Sequence, residues 1–226
     1  MQAVSPKTAN PQTAKVDSIF MSFVTAVLPS DTPSAPVLIL LHGYGSHEGD
    51  LAGLAPHLDG DFEVICPRGS HALAFGGFAW FELEWGPEGV TGIDEEQARE
   101  GVVLLTEWLE EVRRTRPGRT ILLGGFSQGA MLSLAVASHR PELADGLVLL
   151  SGRLHTPDWY GNKPLPPTLV HHGKLDQVIS APLGREFHAY IASMCDDVHH
   201  REFVMAHEIS GESFADLNRW LSRWQG

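Results

Sequence analysis

Gly125-Phe126-Ser127-Gln128-Gly129 sets a serine between two glycines, where an apolar run gives way to a small-residue helical stretch. A strand that turns this sharply into a helix strains the serine backbone, and bulky flanking residues would clash there. The turn presents the hydroxyl, and the helix start beneath it offers a positive dipole end and free N–H groups. Such a serine does nucleophilic chemistry once a base takes its proton. The bland alternative is a glycine-rich turn with a solvated serine; a strand before it and a helix after it favour the nucleophile.

Serines presented in this way are followed along the chain by an acid and then a base. The acids after Ser127 include Asp145, Asp158, Asp176, Asp196, Asp197 and several glutamates. Asp176 is the candidate, because His172-Gly173-Lys174-Leu175-Asp176 places it just past a strand end, at the edge of a parallel sheet where sites form. Asp158 falls in a proline-rich loop, and Asp196 and Asp197 follow a helix and read as solvated. His207, after the last apolar run, is the candidate base. His199 and His200 stand at the other end of that run, on the wrong side of the sheet.

Attack on a carbonyl also needs donors for the oxyanion. The backbone N–H of Gln128 is one candidate, and that of Tyr44, in the early strand-end loop Leu41-His42-Gly43-Tyr44-Gly45, is the other. The segment 70–91 carries Phe75, Phe78, Trp80, Phe81 and Trp85 among glycines, and clustered aromatics of this kind mark a binding surface when they are exposed. Trp80 and Phe81 are expected as pocket walls, with Trp159 and Tyr160 of the proline-rich loop 155–167 reaching the same edge; local core packing is the competing expectation, above all for Phe75 and Trp85. Twelve histidines raise the question of metal. The pairs His171-His172 and His199-His200 are adjacent, so their side chains point to opposite faces of a strand. Neither an H-E-x-x-H motif nor paired C-x-x-C is present, so no metal and no cofactor is expected.

Positioning these residues requires a particular frame. Short apolar runs at 37–41, 62–66, 120–123, 146–150, 168–172 and 201–205 each stop at or near Gly, Pro or His. Continuous rather than alternating runs are the signature of strands buried on both faces. Helical patterns at 94–114, 128–138, 182–194 and 211–224 lie between them, the first with acids at its start and arginines at its end, as the helix dipole prefers. Strand and helix alternate, which predicts a mostly parallel central sheet with helices on both faces. The segment 19–28 is expected as an extra edge strand, while 70–91 and 155–167 read as irregular.

The chain has 226 residues and a net charge of −12, with 43% hydrophobic residues. That supports a single domain over 16–226 after a loose arm at 1–15. The acidic surface argues against nucleic acid as a partner and weighs against a strongly anionic substrate. Cys66 and Cys195 read as reduced thiols rather than a disulfide scaffold. No apolar segment is long enough to span a membrane, and the arm lacks the apolar stretch of a signal peptide; a cytoplasmic location is expected.

Taken together, Leu41-His42-Gly43-Tyr44-Gly45, Pro67-Arg68-Gly69, Gly124 to Gly129, His172-Gly173 with Asp176, and His207-Glu208-Ile209-Ser210 make the chain resemble the phospholipase/carboxylesterase family, which includes the acyl-protein thioesterases. The resemblance spans most of the chain. It implies a compact α/β-hydrolase fold with Ser127, Asp176 and His207 as triad, a small-molecule ester or thioester of an acyl chain as substrate, and a homodimer. Ala206 stands where the family usually has glycine, which an extended backbone tolerates. The 76–81 loop is nearer to bacterial carboxylesterases than to the protein-depalmitoylating members. The leading expectation is hydrolysis of small or medium acyl esters. The alternatives are lysophospholipase or acyl-protein thioesterase activity and, in a different class, a non-catalytic ligand-binding relative; such relatives usually lose a triad member.

Overall fold

A computed structural model of the chain describes residues 23–86, 89–156 and 159–225. The expected arm at 1–15 lies outside them. Seven strands form one sheet in the order β1 (Thr25–Leu28), β3 (Glu63–Pro67), β2 (Val37–Leu41), β8 (Ile121–Phe126), β9 (Gly146–Leu150), β10 (Thr168–Gly173) and β11 (Val198–Phe203). All neighbours pair in parallel except β1, which runs antiparallel to β3. The fold is that of an α/β-hydrolase.

Because strand side chains alternate, each central strand divides its residues between two cores. Val37, Ile39, Leu41, Ile121 and Leu123 face α2 (Glu95–Thr115), α3 (Gln128–His139) and α4 (Ala181–Ala192). Leu38, Leu40, Leu122, Val148 and Leu150 face α1 (Glu48–Ala52) and α5 (Gly211–Leu221). Burial on both sides explains why these strands read as unbroken apolar runs. Asp94 caps α2 by accepting from Glu96 N and Gln97 N, and Ser210 caps α5 by accepting from Ser213 N.

Three sequence expectations need correction. The segment 70–91 is not irregular: it holds β4 (His71–Ala72) paired with β5 (Phe78–Ala79), and β6 (Leu83–Gly86) paired with β7 (Gly89–Ile93). The last strand begins at Val198, so His199 and His200 lie within it. Helix α1 follows the Tyr44 loop without having been expected. Cys66 and Cys195 are both free and buried, and burial pushes the Cys66 thiol up. Among the described residues, no helix is long and apolar enough to cross a membrane.

Candidate active site

Strand β8 delivers Ser127 to the start of α3 with φ 55° and ψ −114°. A non-glycine residue in that region carries strain of about 1–3 kcal/mol. It is held there by neighbours: Ser127 N donates to Leu150 O at 2.8 Å, and Ser127 O accepts from Ala130 N at 3.0 Å. The glycine after the turn is obligatory, since a Cβ on Gly129 would lie 2.1 Å from Leu41 O. The end of β2 therefore presses directly against the turn. Ser127 makes no side-chain cap to α3, so its hydroxyl is not occupied by its own helix.

Strand β10 ends in the loop that carries Asp176, and β11 leads into the loop that carries His207. Gly173 lets these loops meet: a Cβ there would lie 2.3 Å from Ala206 O. Asp176 is fully enclosed, with 0% of its side chain exposed. Its Oδ1 accepts from Val178 N and Ile179 N, both at 2.8 Å. Its Oδ2 lies 2.6 Å from His207 Nδ1, and a carboxylate can only accept, so Nδ1–H donates and Nε2 is left to take a proton. The His207 ring lies tilted against that of Phe126, the residue before Ser127, with centroids 4.7 Å apart. Asp176 and His207 are thus brought together against Phe126, the neighbour of Ser127, although no hydrogen bond links Ser127 Oγ to His207 among the described residues.

Several of the competing acids and bases are occupied elsewhere. Asp145 accepts from Arg113 and from Ile121 N at the start of β8, and Asp197 pairs with Arg223. Asp158 lies outside the described residues. His199 bonds Asp216 at 2.6 Å, while His200 stacks on His188 at 3.8 Å, where burial pushes its pKa down to about 4.

Gln128 opens α3, so its backbone N–H has no intrahelical acceptor. Its side chain has a task the sequence did not reveal. Oε1 accepts from Trp80 N at 2.8 Å and Nε2 donates to Phe81 O at 2.7 Å, clamping the aromatic segment to the turn. The Tyr44 loop also approaches the serine: a Cβ on Gly43 would lie 3.5 Å from Ser127 Cβ. His42 fastens that loop, donating from Nδ1 to Gly43 O and accepting Gly69 N–H at Nε2. Burial lowers the His42 pKa and keeps the ring neutral in this role. His172, also missed, closes the acid loop by donating from Nε2 to Ile179 O at 2.8 Å.

Ser127 and Gln128 form part of a cavity of about 80 Å³ whose other walls include Phe81, Leu83, Ile93 and Met131. Phe81 lines this cavity. Trp80 does not: it is 1% exposed, its ring edge meets Phe23 at 5.6 Å, and its indole N–H donates to His42 O at 2.9 Å. The Gln128 clamp turns Phe81 toward the cavity and Trp80 into the core. Trp159 is likewise set back, buried with its ring edge against Phe81 at 5.7 Å. The Trp85 side chain lies outside the described residues, and Phe75 is 73% exposed near Tyr44. Trp80→Ala is therefore expected to lower unfolding stability by about 3–5 kcal/mol, read by urea denaturation, without altering the kcat/KM ratio between short and long esters. An altered ratio at unchanged stability would return Trp80 to the pocket wall.

Pairing between strands brings together histidines that adjacency within one strand keeps apart. Parallel register sets Leu169 opposite His199 and His171 opposite Arg201, so His171, His199 and Arg201 share one face, and Asp216 of α5 covers them. His171, His199 and Asp216 have the donor types and proximity to hold a metal ion. Asp216 is already saturated: Oδ2 faces both histidine Nε2 atoms, and Oδ1 accepts from Arg201 and Arg219. Burial would raise its pKa, but the bonds from His199 and Arg201 outweigh this and hold it at about 2. Two guanidinium groups against the carboxylate oppose a divalent cation. A cavity of about 310 Å³ lies beside this network, lined by His199, Asp216, Arg219, Trp220 and Arg223.

The model of the Phospholipase/Carboxylesterase family matches residues 24–225. Acyl-protein thioesterase 1 of Saccharomyces cerevisiae is 27% identical over 214 residues, covering 84% of this chain and 93% of that protein. The Bacillus cereus carboxylesterase superposes with a TM-score of 0.78 at 22% identity, covering 90% of this chain and 95% of the other. Zea mays acyl-protein thioesterase 2 does so with a TM-score of 0.71 at 22% identity, covering 89% and 99%.

Proposed function

This chain belongs to the phospholipase/carboxylesterase family of serine hydrolases, and from that premise we propose that it cleaves carboxylic esters of short acyl chains through an acyl-enzyme on Ser127. The observation that carries the reading is the part-buried Asp176–His207 hydrogen bond, whose imidazole meets the residue before a serine strained onto a strand-to-helix turn. In the first step Ser127 Oγ bonds to the carbonyl carbon while His207 Nε2 takes the hydroxyl proton. The backbone N–H groups of Gln128 and Tyr44 stabilise the oxyanion. Collapse breaks the bond to the alkoxy oxygen, which leaves as alcohol with the proton from His207. Water then repeats the sequence on the acyl-enzyme and releases the acid.

The cavity beside Ser127, at about 80 Å³, is well below the roughly 300 Å³ at which sites for larger ligands begin. That supports short acyl chains. The thioesterase names of several relatives support thioester cleavage as the second reading. A panel of p-nitrophenyl esters from acetate to palmitate, run beside an acyl thioester, tests both. The highest kcat/KM is expected between acetate and butyrate, with palmitate lower by about tenfold or more, since even one methylene misfitted to a pocket costs on this order. A maximum at palmitate, or a thioester preferred to every ester, would overturn the short-chain ester reading.

A further inference from the structure

We infer that the ester cleaved at this site carries an anionic group, held by Arg153. This deepens the serine-hydrolase reading and rests on it. Arg153 lines the same cavity as Ser127, together with apolar side chains that include Val178 and Ile179. Its guanidinium has no hydrogen bond and no ion pair among the described residues. Every other arginine among them has a carboxylate within 4.0 Å. An acidic protein pairs its arginines easily, so the exception marks a place where the partner arrives from outside.

The cavity itself offers no substitute for that partner. Leu83, Ile93, Met131, Val178 and Ile179 contribute apolar side chains to the lining. Gln128, the amide side chain of the lining, has its oxygen and nitrogen committed to Trp80 and Phe81. Arg153 thus brings five N–H donors to a lining that holds no side-chain anion among the described residues. Holding a half-buried guanidinium against apolar walls costs free energy unless a charge-assisted bond compensates.

The chain is also bent to place it. Arg153 follows the end of β9 by three residues, and Ser151 there takes φ 51°, the other left-handed non-glycine residue among those described. Ser151 is fully buried, and its N–H donates to His171 O at 2.9 Å. Gly152 lies so close to Phe187 that a Cβ would approach its ring to 2.7 Å. Strain and close approach in consecutive residues fix the direction in which Arg153 leaves the sheet. Strain of this kind persists where the surrounding structure over-determines it, often at a ligand clamp. The cationic pocket departs from the mean surface of a chain with net charge −12, which is why the composition weighed against an anionic substrate.

The shared chemistry is a short acyl chain ending in a carboxylate or a similar oxyanion. Monoethyl glutarate and ethyl pentanoate form a suitable pair, with chains of matched length that differ in the terminal charge. For the wild-type protein kcat/KM is expected to be about 10- to 100-fold higher for monoethyl glutarate, the range of a hydrogen-bonded charge. In Arg153→Gln the ratio should collapse toward one, and Arg153→Lys should restore part of it. Glutarate should raise the wild-type melting temperature more than glutaramide does, and the difference should vanish in Arg153→Gln. An equal rate on both esters, or a ratio that survives Arg153→Gln, overturns the inference. Fluorophosphonate labelling of Ser127 in the same samples separates the two levels. Labelling without charge preference overturns the anion site alone. Absence of labelling and turnover overturns the hydrolase reading, and the glutarate shift then decides the anion site by itself.

Discussion

Replacing Ser127 with alanine is expected to lower ester turnover by about 10⁴-fold or more while leaving the protein folded. The size follows from the way triad members act together, since a base without a nucleophile, or a nucleophile without a base, leaves only oxyanion stabilisation and binding. The fold should survive because the hydroxyl makes no cap to α3; the bonds that hold the turn come from the backbone of Ser127. Alanine inherits the same strained φ as serine, so the turn is no worse off. The measurement is kcat/KM on a p-nitrophenyl ester, with circular dichroism to confirm folding and a fluorophosphonate probe to identify the labelled serine. Turnover close to wild type, or labelling of a different serine, would remove Ser127 from the mechanism.

What could be read before the structure was read from short-range signals. Val37–Leu41 and Gly146–Leu150 are buried along their whole length, so their composition alone identified them. Ser127, Asp176 and His207 each follow a strand end, and the glycines beside them mark where chain segments must approach closely. Signals of longer range were missed. The two-residue strands β4 and β5 are too short to show a period, and the five-residue α1, capped by the side chain of His47, starts without Ser, Thr, Asp or Asn. Trp80 and Phe81 look alike in sequence; the Gln128 side chain, clamping the backbone 47 residues away, decides which one reaches the cavity. The His171–His199–Asp216 network needed the register between β10 and β11. A lone arginine in a loop carries no signal at all, and Arg153 acquires meaning only once every other arginine has been seen with its carboxylate.

Asp176→Asn is expected to cut turnover by about 10⁴-fold with little change in stability, and the geometry separates these two effects. The amide oxygen can replace Oδ1 and keep accepting from Val178 N and Ile179 N, so the acid loop stays closed. The amide nitrogen then stands where Oδ2 met His207 Nδ1, and a donor cannot accept the Nδ1 proton. The ring must therefore shift its proton to Nε2, the nitrogen that has to take the proton from Ser127, and the positive ring that forms during attack loses its carboxylate. Asp176→Ala should be equally inactive and also less stable, by about 1–3 kcal/mol, because the buried Ile179 N–H and the part-buried Val178 N–H lose their acceptor. The pair of variants therefore distinguishes catalysis from loop closure: similar kcat losses, but a lower denaturation midpoint in the alanine variant alone. If Asp176→Asn keeps its activity while Asp145→Asn or Asp197→Asn loses it, the acid lies elsewhere and His207 is oriented by another group.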